Sequence, residues 1–312
     1  MPIYAGIDIG TLTLRLLVAR VLDGQLRELD AERRIVRLGE GLQPSRRLQA
    51  APMARTLATL VEWMPRIEKA GAREVVAVAT SAVRDAVNRD EFLAEVKRKS
   101  GWDVTVLSGE EEARLSLLGI QSGLPPDVER CIALDIGGGS TEFIKATRDQ
   151  PPVMVSINEG VVRLTEACLR NDPPKPDEVA AARTRIRNHL NAVKDKLGAV
   201  AGFRLVGTAG TITTLAAMDQ KLETYTPKRI HNYRLSWDAV RRVLGDLTSR
   251  THAQRRELPG LEPGREDLMV AGTLILLECM ERFGFVECLV SDYGLREGIL
   301  IDHWEKSRER DS

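Results

Sequence analysis

The segment Asp135-Ile-Gly-Gly-Gly-Ser-Thr-Glu142 carries the strongest chemical signal in the chain. Three consecutive glycines, Gly137, Gly138 and Gly139, lie between two apolar runs and expose backbone N–H groups to an approaching anion. Ser140 and Thr141 add hydroxyl donors. Glycines alone also serve a tight hairpin. The flanking Asp135 and Glu142 favour an anion cradle, because a divalent cation can bridge their carboxylates to phosphate oxygens. The Gly-Lys-Ser/Thr of a Walker loop is missing, and the glycines lead into a strand pattern instead of a helix, so a dinucleotide fingerprint does not fit either.

A shorter version of the same pattern opens the chain. With a shift of 127 positions, Asp8 falls on Asp135, Gly10 on Gly137, Thr13 on Ser140 and Arg15 on Glu142, so two lobes built on one plan are expected. Asp8 joins Asp135 and Glu142 as a candidate metal ligand, and Gly10, Thr11, Thr13 and Arg15 are candidate phosphate contacts. A further cradle lies at Val206-Gly207-Thr208-Ala209-Gly210-Thr211, where a short strand runs through glycines into a helix N-terminus, a natural anion site. Gly207, Gly210 and Thr211 are its candidate contacts; small residues at such a turn also serve close packing.

Glu112 is the candidate general base, placed to deprotonate a water that attacks a terminal phosphorus. The helix macrodipole accounts for one or two of Glu110, Glu111 and Glu112 without any function. Arg15 and Arg84 follow strands where a loop can face a cleft, and a guanidinium suits a transferring phosphoryl group. The clusters around Arg33, Lys228 and Arg255 read as wet faces or as guides for a long anion. None of the four histidines has a zinc spacing, no GxSxG elbow is present, and no cysteine has a visible activating partner.

The elements that must position these residues alternate. Ile3 to Ile9 and Leu12 to Val21 form a hairpin, followed by a helix over about 50 to 70, a strand at Glu74 to Thr80, a helix over about 85 to 99, a strand at Val104 to Leu107 and a helix from about 109. Ser108-Gly-Glu-Glu111 is a capping box that puts Glu110 to Glu112 in the first turn of that helix. Gly123-Leu-Pro-Pro-Asp127 breaks the chain and marks a lobe boundary. Beyond it come a second hairpin, Cys131 to Ile136 with Phe143 to Ala146, and helices over about 159 to 171 and 177 to 197. A strand at Arg204 to Val206 and a helix from about 210 follow, then a polar stretch over 221 to 235 and a helix near 236 to 249. After a loop at Thr251 to Gly264 the pattern ends with an apolar helix near 267 to 284, a strand at Glu287 to Val290 and a helix near 294 to 308. That is α/β architecture.

Length and composition agree. At 312 residues two domains are the default, and 43% hydrophobic with 4% aromatic residues implies aliphatic cores. Lys plus Arg and Asp plus Glu are both 45, so no overall field draws in nucleic acid or a membrane, and a polyanion needs a local patch. Four scattered cysteines without a CxxC read as reduced core residues of a cytoplasmic protein. The N-terminus has no leader pattern, and no apolar stretch reaches the roughly 18 residues of a membrane span.

Eight segments together resemble the exopolyphosphatase and guanosine pentaphosphate phosphohydrolase family, in its order and along about 290 residues. They are Asp8 to Leu16, Arg37 to Gly41, Ala79 to Arg84 with Asn88, Ser108 to Arg114, Asp135 to Glu142, Gly160 to Glu166, Gly207 to Thr211 and Ser291 to Gly298. The resemblance implies two actin-like (ribonuclease H-like) lobes around a central cleft. Lobe I is expected over 1–125, completed by a C-terminal helix at 299–312, and lobe II over 126–298. It also implies that Glu112 activates water, that Asp135 and Glu142 hold Mg2+ and position the water, and that the glycines, Ser140 and the Gly10 to Arg15 loop hold phosphate. The substrate is then inorganic polyphosphate or, as the alternative, the guanine alarmone guanosine pentaphosphate. A kinase or ATPase on the same superfamily fold and a non-catalytic sensor are the rivals from other classes. Two-lobed cleft enzymes often dimerise, so a homodimer is compatible, although no segment marks an interface.

Three positions depart from the family pattern. Leu12 replaces a small polar residue in the first loop, while Ala209 and Asn232, the latter after His231, stand where glycine is common. The chain also resembles the short members that lack extra C-terminal helical domains, which implies a preference for shorter polyphosphate.

Overall fold

A computed structural model describes residues 2–43, 45–148 and 150–311, so Ser312 at the end of the expected last helix lies outside the described residues. The chain divides into two compact units, Met1–Ser122 with Tyr293–Ser312, and Gly123–Asp292.

Unit 1 runs β1 (Ile3–Ile9), β2 (Thr13–Leu22), β3 (Gln25–Ile35), α1 (Ala50–Lys69), β4 (Glu74–Ala79), α2 (Ser81–Asp85), α3 (Arg89–Ser100), β5 (Val104–Val106) and α4 (Gly109–Gly123). The second unit runs β6 (Arg130–Ile136), β7 (Thr141–Thr147), β8 (Val153–Ile157), α5 (Val161–Cys168), α6 (Pro176–Leu197), β9 (Arg204–Thr208), α7 (Ala209–Asp219), α8 (Pro227–Ile230), β10 (Arg234–Ser236), α9 (Trp237–Thr248), α10 (His252–Arg256), α11 (Met269–Phe283) and β11 (Glu287–Val290). The chain then returns to unit 1 with α12 (Leu295–Asp311).

The two sheets share one topology. Their orders are β3-β2-β1-β4-β5 and, read from the same side, β8-β7-β6-β9-β11-β10. In each, the first three strands form an antiparallel meander and the next two add in parallel. This is the sheet of a ribonuclease H-like, actin-like lobe, made twice. Unit 2 adds one strand, β10, antiparallel to β11.

Both faces of the first sheet are buried, which explains why β2 is apolar nearly throughout. Leu14, Leu16 and Val18 pack with Leu57, Trp63 and Phe92 of α1 and α3, whereas Leu17, Ala19 and Val21 pack with Leu115, Leu295 and Ile299 of α4 and α12. Truncating a fully buried residue such as Leu16 to alanine would cost about 2–5 kcal/mol.

Third strands β3 and β8 went unread. Gln25–Ile35 is mostly charged and only half-buried, because its polar side chains pair with α1: Arg66 holds Asp30 and Glu32, and Arg34 holds Glu62. The polar stretch over 221 to 235 contains α8 and β10, and the loop after Thr251 contains α10. The helix expected over 85 to 99 is two helices. Ala86 is extended, and Asn88 spends its amide on both backbone groups of Leu48, which breaks the run and leaves Arg84 on a short helix of its own.

Candidate active site

In unit 1 the β1–β2 turn is set by register. Asp8 pairs with Arg15 across the ladder, and Gly10 N–H donates to the Thr13 carbonyl at 3.0 Å. A Cβ at Gly10 would lie 2.9 Å from that carbonyl oxygen, so the turn needs its glycine. Thr11 and Ser81 share a hydroxyl hydrogen bond of 2.8 Å that ties the loop to α2. Gly39 N–H donates to the Thr11 carbonyl, and a Cβ on Gly39 would come 2.4 Å from Thr11 Cγ2, so the Arg37 to Gly41 segment is a strap laid directly on the loop. The Leu12 side chain is buried, and its carbonyl accepts from both Val36 and Arg37.

The three glutamates at the head of α4 divide their roles. Glu111 closes the capping box: Ser108 N–H donates to its carboxylate at 2.9 Å, while its own N–H donates to Ser108 Oγ at 3.1 Å. The Ser108 backbone N–H is the main reason its carboxyl is held below the ordinary range. Glu110 is exposed. Glu112 alone is buried, at 8% exposure, and Arg84 Nη1 donates to its Oε2 at 3.0 Å and to the Leu107 carbonyl at 2.9 Å. The macrodipole and the cap therefore explain Glu111 but not Glu112.

Helix α4 is itself fixed by α12. A Cβ on Gly119 would fall 1.9 Å from the Gly294 carbonyl oxygen, and one on Gly298 would fall 1.8 Å from that of Leu115. The backbones touch, and Arg114 adds an ion pair to Asp302 at 2.8 Å. The Ser291 to Gly298 motif thus positions the helix that bears Glu112.

In unit 2 the same turn recurs. Asp135 pairs with Glu142, and Gly137 N–H donates to the Ser140 carbonyl at 3.0 Å, so the same backbone hydrogen bond closes both turns of the repeat. Glu142, at 1% exposure, accepts from Ser156 Oγ at 2.8 Å. Helix α5 starts against the glycines: Val161 N–H donates to the Gly137 carbonyl at 3.0 Å and Val162 N–H to that of Gly138 at 2.8 Å. Two oxygens that would repel an anion are thereby occupied by helix donors. A Cβ on Gly160 would lie 2.6 Å from Gly137 and Gly138 backbone atoms, which explains the glycine that opens the Gly160 to Glu166 segment.

Several sequence expectations change here. The Thr141 hydroxyl, read as a donor to phosphate, donates instead to the Glu159 carbonyl at 2.7 Å and is fully buried. Gly207 serves packing: a Cβ there would meet Ile212 Cδ1 at 2.4 Å and Cys288 Sγ at 2.7 Å. Gly210 makes room for a residue that the sequence did not single out, Arg265, whose guanidinium nitrogen would be 2.0 Å from its Cβ. Thr211 is buried beneath Gly272, which leaves room for its methyl. Thr208 stands opposite Asp135 in the β6–β9 ladder. Arg255 is no wet-face residue; it is buried and donates to the carbonyls of Leu247 and Glu266.

Ala209 and Asn232, the positions expected to be glycine, adopt φ of +69° and +63°, the left-handed region that glycine enters without cost. Three cysteines are buried and Cys168 is only partly so, which corrects its placement in the core. Burial pushes the Cys131 thiol up to about 11 and the Cys288 thiol up to about 12, so neither is ionised at neutral pH.

For a metal, the donor set is hard carboxylate oxygen: Asp135 and Glu142 adjacent on one ladder in unit 2, and Asp8 in unit 1. No cluster of three His, Cys, Asp or Glu able to hold an ion occurs among the described residues. The unit 2 pair fits Mg2+, which takes one or two carboxylates and completes its shell with water and substrate phosphate.

An aspartate beside a glycine turn, repeated in two like-folded units, defines a phosphoryl-handling protein of the actin-like class. The profile of the Ppx/GppA phosphatase family matches residues 17–307, and the chain belongs to that family. It is a hydrolase. It is 35% identical over 310 residues to Exopolyphosphatase 2 of Mycobacterium tuberculosis, across 95% of this chain and 97% of that one. Among solved structures it is similar to the Ppx/GppA family member of Aquifex aeolicus, at 32% identity and a TM-score of 0.82 over 98% of both chains. An exopolyphosphatase-like protein of known structure matches at 30% identity and a TM-score of 0.91 over 97% of both chains. No helix among the described residues is long and apolar enough to cross a membrane.

Proposed function

We propose that the protein is an exopolyphosphatase that removes the terminal phosphate of inorganic polyphosphate. The observation that carries this reading is the buried Glu112 carboxylate with one oxygen fixed by Arg84, together with glycine-turn cradles suited to a phosphate chain. Relatives named exopolyphosphatases support it. Glu112 accepts a proton from water, the oxygen of that water bonds to the terminal phosphorus, and the terminal P–O–P bridge breaks on the far side, leaving orthophosphate and a chain one unit shorter. Arg84 orients the base. Gly137, Gly138, Gly139 and Ser140 hold phosphate oxygens, as do Gly10, Thr11, Thr13 and Arg15. Gly207, Gly210 and Thr211 shape the third cradle from behind. Asp135 and Glu142, with Asp8, would hold Mg2+, which neutralises charge developing on the phosphoryl oxygens. A cytoplasmic location suits that substrate.

The test is phosphate release from short polyphosphate, long polyphosphate, guanosine pentaphosphate and ATP, each with and without magnesium. The expected result is magnesium-dependent turnover of polyphosphate. Much faster turnover of guanosine pentaphosphate would replace the substrate; turnover of ATP alone would remove the exopolyphosphatase reading.

A further inference from the structure

The chain passes between the two compact units twice, at Ser122–Gly123 and at Asp292–Tyr293. On the unit 2 side one imidazole holds both crossing segments. His231 Nε2 lies 2.8 Å from the Gly123 carbonyl oxygen, and Asp292 N–H donates to His231 Nδ1 at 3.2 Å. Both bonds require a single tautomer, with the hydrogen on Nε2 and a bare lone pair on Nδ1. The local backbone aims the ring. His231 caps α8, its N–H donates to the Pro227 carbonyl at 2.8 Å, and Asn232 follows at φ +63° with its N–H on the Val290 carbonyl at 2.7 Å. Asn232 Nδ2 adds a longer bond to Gly123 at 3.4 Å, and the Tyr225 hydroxyl donates to the Asp292 carboxylate.

We infer that His231 is a positioning residue for the phosphatase reaction: it braces the Gly123 end of α4 and the Asp292 turn that leads into α12 against one ring, so the two segments are not independent. The inference rests on the proposed function, in which Glu112, borne by α4, is the base. Without the brace these two segments spread over more arrangements. A ligand that binds one of them binds more weakly in proportion to the lost population, while saturating ligand restores the competent state. Loss of the brace therefore raises KM and spares kcat, whereas loss of folded protein lowers apparent kcat at unchanged KM.

Three variants of the full chain separate the two bonds. His231→Gln keeps a donor near the Nε2 position and loses the acceptor for Asp292; His231→Asn keeps that acceptor and loses the donor to Gly123; His231→Ala loses both. Phosphate release from polyphosphate should show KM raised about fivefold or more in all three, with kcat within about twofold of wild type. Backbone hydrogen exchange at the Asp292 amide should accelerate about tenfold or more in the Gln and Ala variants and stay near wild type in the Asn variant. Wild-type KM in both the Asn and Gln variants, or a fall in kcat at unchanged KM, would overturn the brace. The exchange arm needs no substrate. Should the wild-type chain leave polyphosphate intact, the proposed function fails, and an Asp292 amide as slow in the Ala variant as in wild type would sink the brace separately.

Discussion

Arg84 Nη1 donates both to the Leu107 carbonyl and to Glu112 Oε2, at 2.9 and 3.0 Å, and so links the exit of β5 to the first turn of α4. That guanidinium fixes the orientation of the carboxylate. A lysine at position 84 keeps the charge but cannot hold both acceptors in one plane. Arg84→Lys should lower kcat about tenfold or more, and adding it to Glu112→Gln should cost little further, since the pair acts as a unit. Additive losses in that double-mutant cycle would break the link.

Chelation of divalent metal should abolish phosphate release, and added magnesium should restore it. With Asp135→Asn, the magnesium concentration for half-maximal rate should rise about tenfold or more, because one of two adjacent hard ligands is lost. A titration that overlays the wild-type curve would remove Asp135 from the metal site.

Gly160 sits 2.6 Å, at Cβ distance, from the backbone of Gly137 and Gly138. Backbone cannot swing aside as a side chain does. Gly160→Ala should therefore cost about 1–3 kcal/mol in urea denaturation and should displace the phosphate loop, so activity falls with stability. A fully stable, fully active variant would show that the contact is dispensable.

Ala209 holds φ at +69°. Ala209→Gly should relieve the left-handed strain by more than the added chain entropy costs, for a net gain of about 0.5–1 kcal/mol in the same measurement. Asn232→Gly should change stability less, since asparagine tolerates that region. A destabilised Ala209→Gly protein would contradict this.

The legible parts of the chain were those with strong local pattern. The hairpins announced themselves because Asp8, Gly10 and Thr13 recur as Asp135, Gly137 and Ser140, and a turn closed by one backbone hydrogen bond depends on few residues. The Ser108 cap was legible for the same reason. By contrast, β3 escaped because its charged face is neutralised by α1 across 34 to 36 positions, as in Arg66 with Glu32 and Asp30. No local window contains both partners. Gly119 looked like an ordinary weak helix residue; only the approach of Gly294 and Gly298 reveals why a side chain is excluded there. Arg265 gave no signal, since the space it needs is the missing side chain of Gly210. Among the three adjacent glutamates, the spacing assigned Glu111 to the cap and singled out Glu112 as the candidate base; what it could not supply is that Glu112 alone is buried and bonded to Arg84.

The most direct measurement of the central claim is steady-state phosphate release from polyphosphate by Glu112→Gln beside wild type, at saturating magnesium and with thermal unfolding recorded for both. The amide keeps the size and the hydrogen-bond acceptor for Arg84 but cannot take a proton from water. The expected result is a kcat lower by about 100-fold or more, with KM within about threefold and an unchanged unfolding temperature. A variant that keeps more than about half of the wild-type kcat would contradict Glu112 as the base.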